Sequence, residues 1–185
     1  MFSGGVLLEA LDPVSDFDAV YEQYRVRIYR TIYGVVLNEA TAEDLTQETF
    51  ERAYRTREEF RGSAPLGAWL HRIALNLSIS HLRRQGRLRQ LPFRLFTRPD
   101  TGKAFDRVDA STLTQRALAA LRPKHRAVVV LHFYAGMTRD EIAVVLGVPE
   151  GTVASRLSAG LGVMRKALAR AESELTAELS GGRER

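Results

Sequence analysis

The sequence predicts an all-α protein in which two helical domains are joined by a flexible basic linker. Three observations lead to this fold class. Apolar residues recur at spacings of three and four along most of the chain, strand patterns are nearly absent, and a stretch interrupted by glycines and prolines separates two helical parts. The predicted divisions are a first domain at 12–85, a linker at 86–110, a second domain at 111–172 and a polar tail at 173–185.

The first domain is predicted to contain three amphipathic helices. In chain order these are residues 17–37 after the N-cap Asp16, residues 42–57 after the N-cap Thr41, and residues 66–84 after a break at 61–65. The apolar stripe of the first helix includes Phe17, Tyr21 and Ile28, which we expect to face the core. Short connections between such helices favour a compact bundle.

A helix-turn-helix is predicted at residues 138–157. Thr138 followed by Glu141 forms a capping box, and Gly147 stands where a helix end favours a left-handed residue. Pro149 lies near the first turn of the next helix, where its missing N–H costs little. The second helix of such a motif suits the DNA major groove, although a plain corner between two helices explains the same signals.

Two further helices are predicted before this motif. One includes Leu113 and Leu121, and the other begins at Pro123 and contains the β-branched run 128–131. Because that run lies in a helical period, we predict a buried helix there rather than a strand.

The composition limits the class of protein. The 185 residues include no cysteine and have a net charge of +5. The lack of cysteine excludes disulfides, thiol catalysis and cysteine-based zinc sites, and the positive charge favours a polyanionic partner. No apolar run of about 18 residues occurs, and the N-terminus has no leader pattern. We therefore expect a cytoplasmic location without direct membrane insertion.

The second predicted helix has an acidic face. Its polar residues at helical spacing are Glu43, Asp44, Gln47, Glu48 and Glu51. An acidic face on a basic protein favours a basic protein partner, whereas a solvated helix face is the plain alternative.

The third predicted helix has the opposite sign. The residues flanking its apolar stripe are Arg72, Asn76, Arg83 and Arg84, with His71 nearby. Basic side chains beside the loop at 61–65 suit single-stranded nucleic acid, whose bases leave the stack. Trp69 follows that loop, but its spacing from Leu66 and Ile73 favours a core position.

No catalytic constellation is visible in the sequence. The four histidines form no ligand pattern with acidic neighbours, and no glycine-rich phosphate loop occurs. We therefore expect no enzymatic activity, no metal site and no cofactor.

Taken together, these features resemble the group 4, or extracytoplasmic-function (ECF), sigma factors of the sigma-70 family of bacterial RNA polymerase. Residues 44–50 resemble the core-binding motif of region 2.2. Residues 60–63 followed by 69–76 resemble regions 2.3 and 2.4, and residues 121–157 resemble region 4. The resemblance covers residues 16–168, and the order and spacing of its three parts make it specific.

The resemblance implies a specificity subunit that binds core polymerase and directs promoter-specific initiation. The residues implied at the β′ coiled coil are Asp44, Leu45, Gln47, Glu48 and Phe50. Those implied at the melted −10 element are Arg61, Gly62, Ser63, Leu66, Arg72, Asn76, Arg83 and Arg84. Those implied at duplex −35 DNA are Glu150, Thr152, Ala154, Ser155, Arg156 and Ser158. The second domain would also bind the β flap, and the linker would extend toward the RNA exit channel.

Several positions depart from the family pattern. Ala154, Ala159 and Leu161 stand where basic residues are usual. Fewer arginines make fewer guanine and phosphate contacts, so we expect weak −35 binding by the isolated second domain. Arg156 is either a base reader or an internal partner of Glu141, and the sequence leaves both roles open.

Two other functions stay open. A free-standing helix-turn-helix regulator would use the first domain for dimerisation and would not need an acidic helix paired with a basic one. A sigma-like decoy that has lost DNA reading fits the neutral residues in the recognition helix. The resemblance also implies an anti-sigma factor, docked on exposed apolar surface between the two domains.

Overall fold

The computed structural model describes residues 11–62, 64–89 and 110–181. These residues form seven α-helices and one 3-10 turn and contain no strand, so the all-α prediction is confirmed. The helices are α1 Phe17–Val36, α2 Glu39–Arg55, α3 Leu66–Arg89, α4 Ala110–Ala119, α5 Pro123–Phe133, α6 Arg139–Leu146 and α7 Glu150–Gly181. We call α1–α3 the N-terminal bundle and α4–α7 the C-terminal bundle.

The N-terminal bundle forms around the apolar stripes of its three helices. Ile28 and Ile32 of α1 meet Leu45 of α2 and Leu70 of α3 in its core. Burying each of these side chains contributes about 1.5–3 kcal/mol. Trp69 packs against the same core while keeping part of its surface exposed, as its helical spacing predicts.

The N-cap of α1 is the predicted residue, whereas that of α2 is not. α2 begins at Glu39, because the side chain of Asn38 accepts a 2.8 Å hydrogen bond from the Thr41 N–H. Thr41 is therefore inside the helix, and its prediction as the N-cap is wrong. Asp16 does hold the N-cap position of α1, but its carboxylate accepts from the Ser15 hydroxyl and makes no capping bond.

Two helices extend beyond their predicted ends. α3 continues past Gly86 to Arg89, because one glycine costs only about 1 kcal/mol and its neighbours are good helix formers. α7 continues to Gly181, through most of the predicted polar tail, where glutamate, leucine and alanine favour helix. The remaining linker residues, 90–109, lie outside the described residues.

The predicted signals in the C-terminal bundle are confirmed. Pro123 opens α5, and the run 128–131 is buried as a helix. Thr138 and Glu141 form the capping box of α6, and Gly147 ends that helix with a φ of 62°. α6 and α7 meet at a bend of 105°, which is within the usual range for a helix-turn-helix.

The two bundles pack directly against each other. Val35 of α1 and Leu75 of α3 are buried in one apolar cluster with Val128 and Leu131 of α5 and Ile142 of α6. The apolar surface that we expected to be exposed between the domains is therefore covered in this structure. The expectation of an exposed surface was wrong because packing the apolar faces of the two bundles together removes both from water, which is favourable.

Candidate functional site

The outer face of α2 is acidic and exposed. Its exposed polar residues are Glu43, Asp44, Gln47, Glu48 and Glu51. The Gln47 amide donates to a Glu51 carboxylate oxygen over 2.9 Å, and a second Glu51 oxygen lies 3.7 Å from Arg55. Within the described part of the chain, Asp44 and Glu48 form no ion pair, so their charges are available to a partner.

Two other residues expected at the core-polymerase contact face inward. Leu45 and Phe50 are each 4% exposed and belong to the core of the N-terminal bundle. Their burial excludes extensive direct contact with a partner in this conformation. Both side chains instead pack α2 onto the bundle, and Phe50 also lines an apolar groove beside the acidic face.

An apolar groove between α1 and α2 adjoins the acidic face. It encloses about 730 Å³, with Gln47 and Glu51 on its rim. Tyr21, Val26 and Tyr54 line it and are 40%, 47% and 50% exposed. The sequence reasoning missed this groove because it assigned Tyr21 to the core; the available signal was the number of aromatic residues along α1. Exposed apolar side chains beside acidic ones are typical of a protein-binding surface.

Tyr29 lies in the wall of this groove. Burial raises the pKa of the Tyr29 phenol, and the nearby carboxylates of Glu39 and Glu43 raise it further. The phenol therefore stays protonated at neutral pH and can donate a hydrogen bond to a partner.

The loop before α3 presents an arginine beside two aromatic rings. Arg61 and Gly62 are exposed, and Gly62 has a φ of 67°, which favours glycine. The rings of Phe60 and Trp69 lie 5.2 Å apart between centroids. Leu66 is half-buried against the core, and Ser63 lies outside the described residues.

The basic residues of α3 form an exposed line. Arg72, Asn76, Arg83 and Arg84 are all exposed. Spacings of four and seven place the first three on one face of the helix. No carboxylate in residues 11–62, 64–89 or 110–181 forms an ion pair with these arginines. Their charge is therefore available to an anionic partner such as a nucleic-acid backbone.

His71 does not extend this basic line. It is 1% exposed, and its ring nitrogens lie 2.7 Å from the Gly67 carbonyl oxygen and 3.2 Å from the Thr31 hydroxyl. Burial lowers the pKa of His71, which favours the neutral ring at physiological pH. The side chain thus joins α3 to α1. The prediction that His71 accompanies the exposed basic side chains of α3 is wrong, because the residue is buried.

The start of α7 carries the residues expected at duplex DNA. Glu150, Ser155 and Ser158 are exposed, whereas Thr152, Ala154 and Arg156 are half-buried. Glu150 forms a 3.3 Å ion pair with Arg139 of α6, and the Ser155 hydroxyl donates to the Thr152 carbonyl. Two of the six candidate side chains are therefore already engaged within the motif.

Arg156 does not pair with Glu141 in the described structure. The Glu141 carboxylate accepts from both the N–H and the hydroxyl of Thr138, at 2.8 and 3.0 Å. Arg156 instead lies near enough to His125 for its charge to lower the histidine pKa, after burial, Lys124 and Arg122. The internal pairing of Arg156 with Glu141 is therefore not found among the described residues, and base reading by Arg156 stays a prediction.

A pocket of about 180 Å³ lies where the −10 candidates meet the helix-turn-helix. Its N-terminal side includes Arg61, Trp69 and Arg72, and its C-terminal side consists of Val144 and Val145 of α6. Arg61 and Arg72 of the −10 candidates therefore lie next to α6, the first helix of the helix-turn-helix.

The described residues offer neither a metal-binding cluster nor a single membrane-spanning helix. No group of three or more histidine, aspartate or glutamate side chains there could hold a metal ion. No single helix there is long and apolar enough to cross a membrane, while α6 and α7 pass together on length and composition despite their bend.

Two family models match the chain. The model of Sigma-70 region 2 matches residues 20–88, and that of Sigma-70, region 4 matches residues 111–164. The first match covers almost all of the N-terminal bundle, and the second covers α4 to the first half of α7. The fold and its two matched regions thus define a protein of the sigma-70 class.

Two named relatives are similar to this chain in sequence. The ECF RNA polymerase sigma factor SigE of Mycolicibacterium smegmatis is 37% identical over 174 residues, which cover 85% of this chain and 63% of SigE. The ECF RNA polymerase sigma factor SigL of Mycobacterium tuberculosis is 33% identical over 159 residues, or 81% of this chain and 87% of SigL. The chain therefore spans less than two thirds of SigE and most of SigL. The chain belongs to the ECF sigma factors of the sigma-70 family.

Solved structures share the fold. The sigma factor RpoE in complex with the anti-sigma factor NepR from Bartonella quintana matches with a TM-score of 0.69 and 23% identity, covering 84% of this chain and 98% of RpoE. CnrH in complex with the cytosolic domain of CnrY matches with a TM-score of 0.63 and 24% identity, covering 83% of this chain and 88% of CnrH.

Proposed function

We propose that this chain binds core RNA polymerase and directs promoter-specific initiation of transcription. The observation that carries the proposal is the pairing of an exposed acidic face on α2 with an exposed basic face on α3, in a chain that also contains a capped helix-turn-helix. The polymerase would supply catalysis, and this chain would act as a specificity subunit without a cofactor. It would work in the cytoplasm, associated with the nucleoid through the polymerase.

Core polymerase would bind at the acidic face of α2. Asp44, Gln47 and Glu48 are exposed there, and opposite charge on the β′ coiled coil would complement them. The apolar groove beside this face offers Tyr21 and Tyr54 as anchors for the same partner. The inward position of Leu45 and Phe50 limits them to a supporting role.

The melted −10 element would bind at the loop before α3 and along the exposed line of that helix. Arg61 and Arg72 line one pocket with the ring of Trp69, which suits an unstacked base and its phosphate. Asn76, Arg83 and Arg84 would contact the strand further along the helix. Gly62, Ser63 and Leu66 would shape the loop.

The −35 element would bind at the start of α7, in the major groove. Arg156 is the basic side chain among the six candidates, and Glu150 is held in its ion pair with Arg139. One arginine makes few guanine and phosphate contacts, so we expect weak −35 affinity from the C-terminal bundle alone. Contact of the C-terminal bundle with the β flap would add to this weak affinity in the polymerase complex.

An anti-sigma factor is the proposed regulatory partner. RpoE and CnrH, which share this fold, were each solved with a second protein, and in the case of RpoE that protein is an anti-sigma factor. Co-elution of the chain with cytosolic domains of candidate partners would test this proposal. Persistent failure to co-elute would contradict it.

Run-off transcription tests the main proposal. The purified chain is mixed with core polymerase and a genomic promoter library, and the 5′ ends of the transcripts are sequenced. We expect discrete starts that vanish in Asp44→Lys/Glu48→Lys, because charge reversal opposes docking on the polymerase. The matched control Asp18→Lys/Glu22→Lys reverses the same amount of exposed charge on α1 and should keep the starts.

The same experiment separates the two alternative functions. Core binding without any starts would favour the sigma-like decoy. A chain that binds operator DNA but not core polymerase would favour the free-standing regulator, and either result would contradict the proposal.

A further inference from the structure

The ion pair between Arg139 and Glu150 carries a further inference, which rests on the proposed −35 binding by α7. Arg139 is the first residue of α6, and Glu150 is the first residue of α7. The Arg139 Nε atom lies 3.3 Å from one Glu150 carboxylate oxygen, so the pair bridges the bend of the helix-turn-helix. The pair therefore joins the starts of the two helices that such a motif brings to DNA.

Both side chains keep binding capacity that the ion pair does not use. The side chain of Glu150 is 48% exposed, and that of Arg139 is 54% exposed. Across residues 11–62, 64–89 and 110–181, neither side chain makes a second hydrogen bond or ion pair. One carboxylate oxygen of Glu150 and the two terminal guanidinium nitrogens of Arg139 are therefore available to a ligand.

Helix stability accounts for only one member of the pair. The helix dipole favours a carboxylate at the first position of a helix, where Glu150 stands in α7, and disfavours a guanidinium there. Arg139 therefore opposes the dipole of α6, and that helix is already capped by Thr138 and Glu141. The benefit of Arg139 lies outside α6, in its contact with Glu150 and in its remaining N–H donors.

The exposed residues that follow Glu150 on α7 have short side chains. Gly151, Ser155 and Ser158 are exposed at spacings of four and three, so they share one face of the helix. A Cβ atom added at Gly151 would meet nothing within 4 Å, and the Ser155 hydroxyl donates to the Thr152 carbonyl. Glu150 is therefore the long hydrogen-bond acceptor at the end of α7 that contacts base edges.

We propose that Glu150 reads a cytosine of the −35 element, and that Arg139 positions Glu150 while binding a backbone phosphate. In a helix-turn-helix the N-terminal residues of the second helix contact base edges, and the first helix crosses the backbone. The cytosine N4 amino group donates to a carboxylate oxygen. Guanine and thymine present acceptors in the major groove, and adenine places its N7 acceptor beside its amino group. An acidic reader therefore selects cytosine.

The ion pair also reduces an electrostatic conflict. An isolated carboxylate in the groove would be repelled by the DNA phosphates. The guanidinium of Arg139 offsets that charge locally, and its terminal nitrogens have the forked geometry that suits phosphate oxygens. Arg139 is therefore a positioning residue for Glu150 as well as a phosphate contact.

Base selection by the polymerase complex tests this assignment. Core polymerase and the full chain are incubated with a promoter found by run-off transcription, in which the duplex upstream of the −10 element is randomised, and the bound DNA is sequenced. We expect the wild type to select cytosine at one position by about fivefold or more over the other bases. Glu150→Gln should change the preference at that same position to adenine, because a glutamine amide pairs with adenine N6 and N7. The control Asp140→Asn removes a neighbouring exposed carboxylate from α6 and should leave base preference unchanged.

Arg139→Gln separates positioning from base reading. Loss of the guanidinium should weaken binding to every sequence and lower the slope of log affinity against log salt by about 0.9, because one phosphate contact is lost. The cytosine preference should persist but weaken, since Glu150 keeps its acceptor and loses the contact that orients it. Arg139→Lys keeps the charge and should restore the salt slope. Circular dichroism of each variant checks that helical content is retained.

The outcomes separate this inference from the proposed function. A wild-type complex that selects no upstream bases would contradict −35 reading by this chain and the inference with it. A selected element without cytosine, or a cytosine preference that Glu150→Gln leaves unchanged, would overturn the inference alone. Loss of the preference in Arg139→Gln, with an unchanged preference in Glu150→Gln, would place base reading on Arg139 instead.

Discussion

Arg126 of α5 donates a 2.7 Å hydrogen bond to the carbonyl oxygen of Val35 in α1, although 91 residues separate them in the chain. Burial lowers the pKa of Arg126 from its ordinary value, yet a guanidinium keeps its proton in proteins. The buried charge therefore depends on carbonyl acceptors from both bundles. The same guanidinium donates to the carbonyls of Leu118 and Leu121, so this one side chain joins the end of α1 to the C-terminal bundle.

Replacing Arg126 should weaken both the C-terminal bundle and the interface. We expect Arg126→Met to lower the free energy of unfolding by about 2–4 kcal/mol, because buried carbonyls lose a charged donor. Urea unfolding followed by circular dichroism measures the change. Arg122→Met, at an exposed position one turn earlier, should change stability by less than about 0.5 kcal/mol. Equal midpoints for the two variants would contradict the role of Arg126.

His71 should make stability depend on pH. Burial lowers its pKa below 6.5 in the folded chain, against a partly opposing effect of the Gly67 carbonyl. The unfolded chain therefore takes up a proton first, so stability present above pH 6.5 is lost as the pH falls toward the lowered pKa. Urea unfolding at about pH 7.5 and about pH 5.5 should show this loss in the wild type and less of it in His71→Gln. An equal loss in both proteins would contradict the assignment.

The −10 surface should show a specific salt dependence. In complex with core polymerase, Arg61→Ala and Arg72→Ala should weaken binding of a single-stranded −10 oligonucleotide. Each lost phosphate contact should reduce the slope of log affinity against log salt by about 0.7. Arg30→Ala removes a charge that is also exposed, on α1, and serves as the control. Slopes that fall equally in all three variants would indicate nonspecific attraction.

The recognition helix should gain affinity from an added arginine. Ala154→Arg should strengthen binding of the polymerase complex to duplex −35 DNA, because it supplies a contact that the wild-type helix lacks. The salt slope should steepen by about 0.9 for one new phosphate contact. Gly162→Arg adds the same charge farther along α7 and should change binding less. A larger gain from Gly162→Arg would place the DNA elsewhere on this helix.

Local sequence signals predicted most of the helices, because helix caps and apolar spacing depend on residues that are only a few positions apart in the chain. The capping box of Thr138 and Glu141 and the left-handed Gly147 were both found as predicted. The start of α2 was missed because Leu37 adopts a φ of 57°, a conformation that leucine rarely takes. That turn places Asn38 rather than Thr41 at the helix start.

The sequence also predicted the charge of the two candidate surfaces on α2 and α3, but it did not predict the groove or the ion pair near them. Charges at helical spacing indicated that α2 and α3 present opposite signs, and those side chains lie exposed. Spacing could not show that Tyr21 opens onto a groove, since partial burial depends on how α1 and α2 cross. It also could not show that Glu150 pairs with Arg139, which depends on the bend between α6 and α7.

The sequence by itself determined the fold class, the helix-turn-helix and the family, because periodicity, caps and motif spacing are local properties of the chain. Only the tertiary structure decided that the two bundles share a core. Gly34 reads as an ordinary helical glycine and Arg126 as one basic residue among many until α1 and α5 are brought together. The contact joins residues about half the chain apart, and its energy comes from apolar burial and carbonyl pairing that no local pattern records.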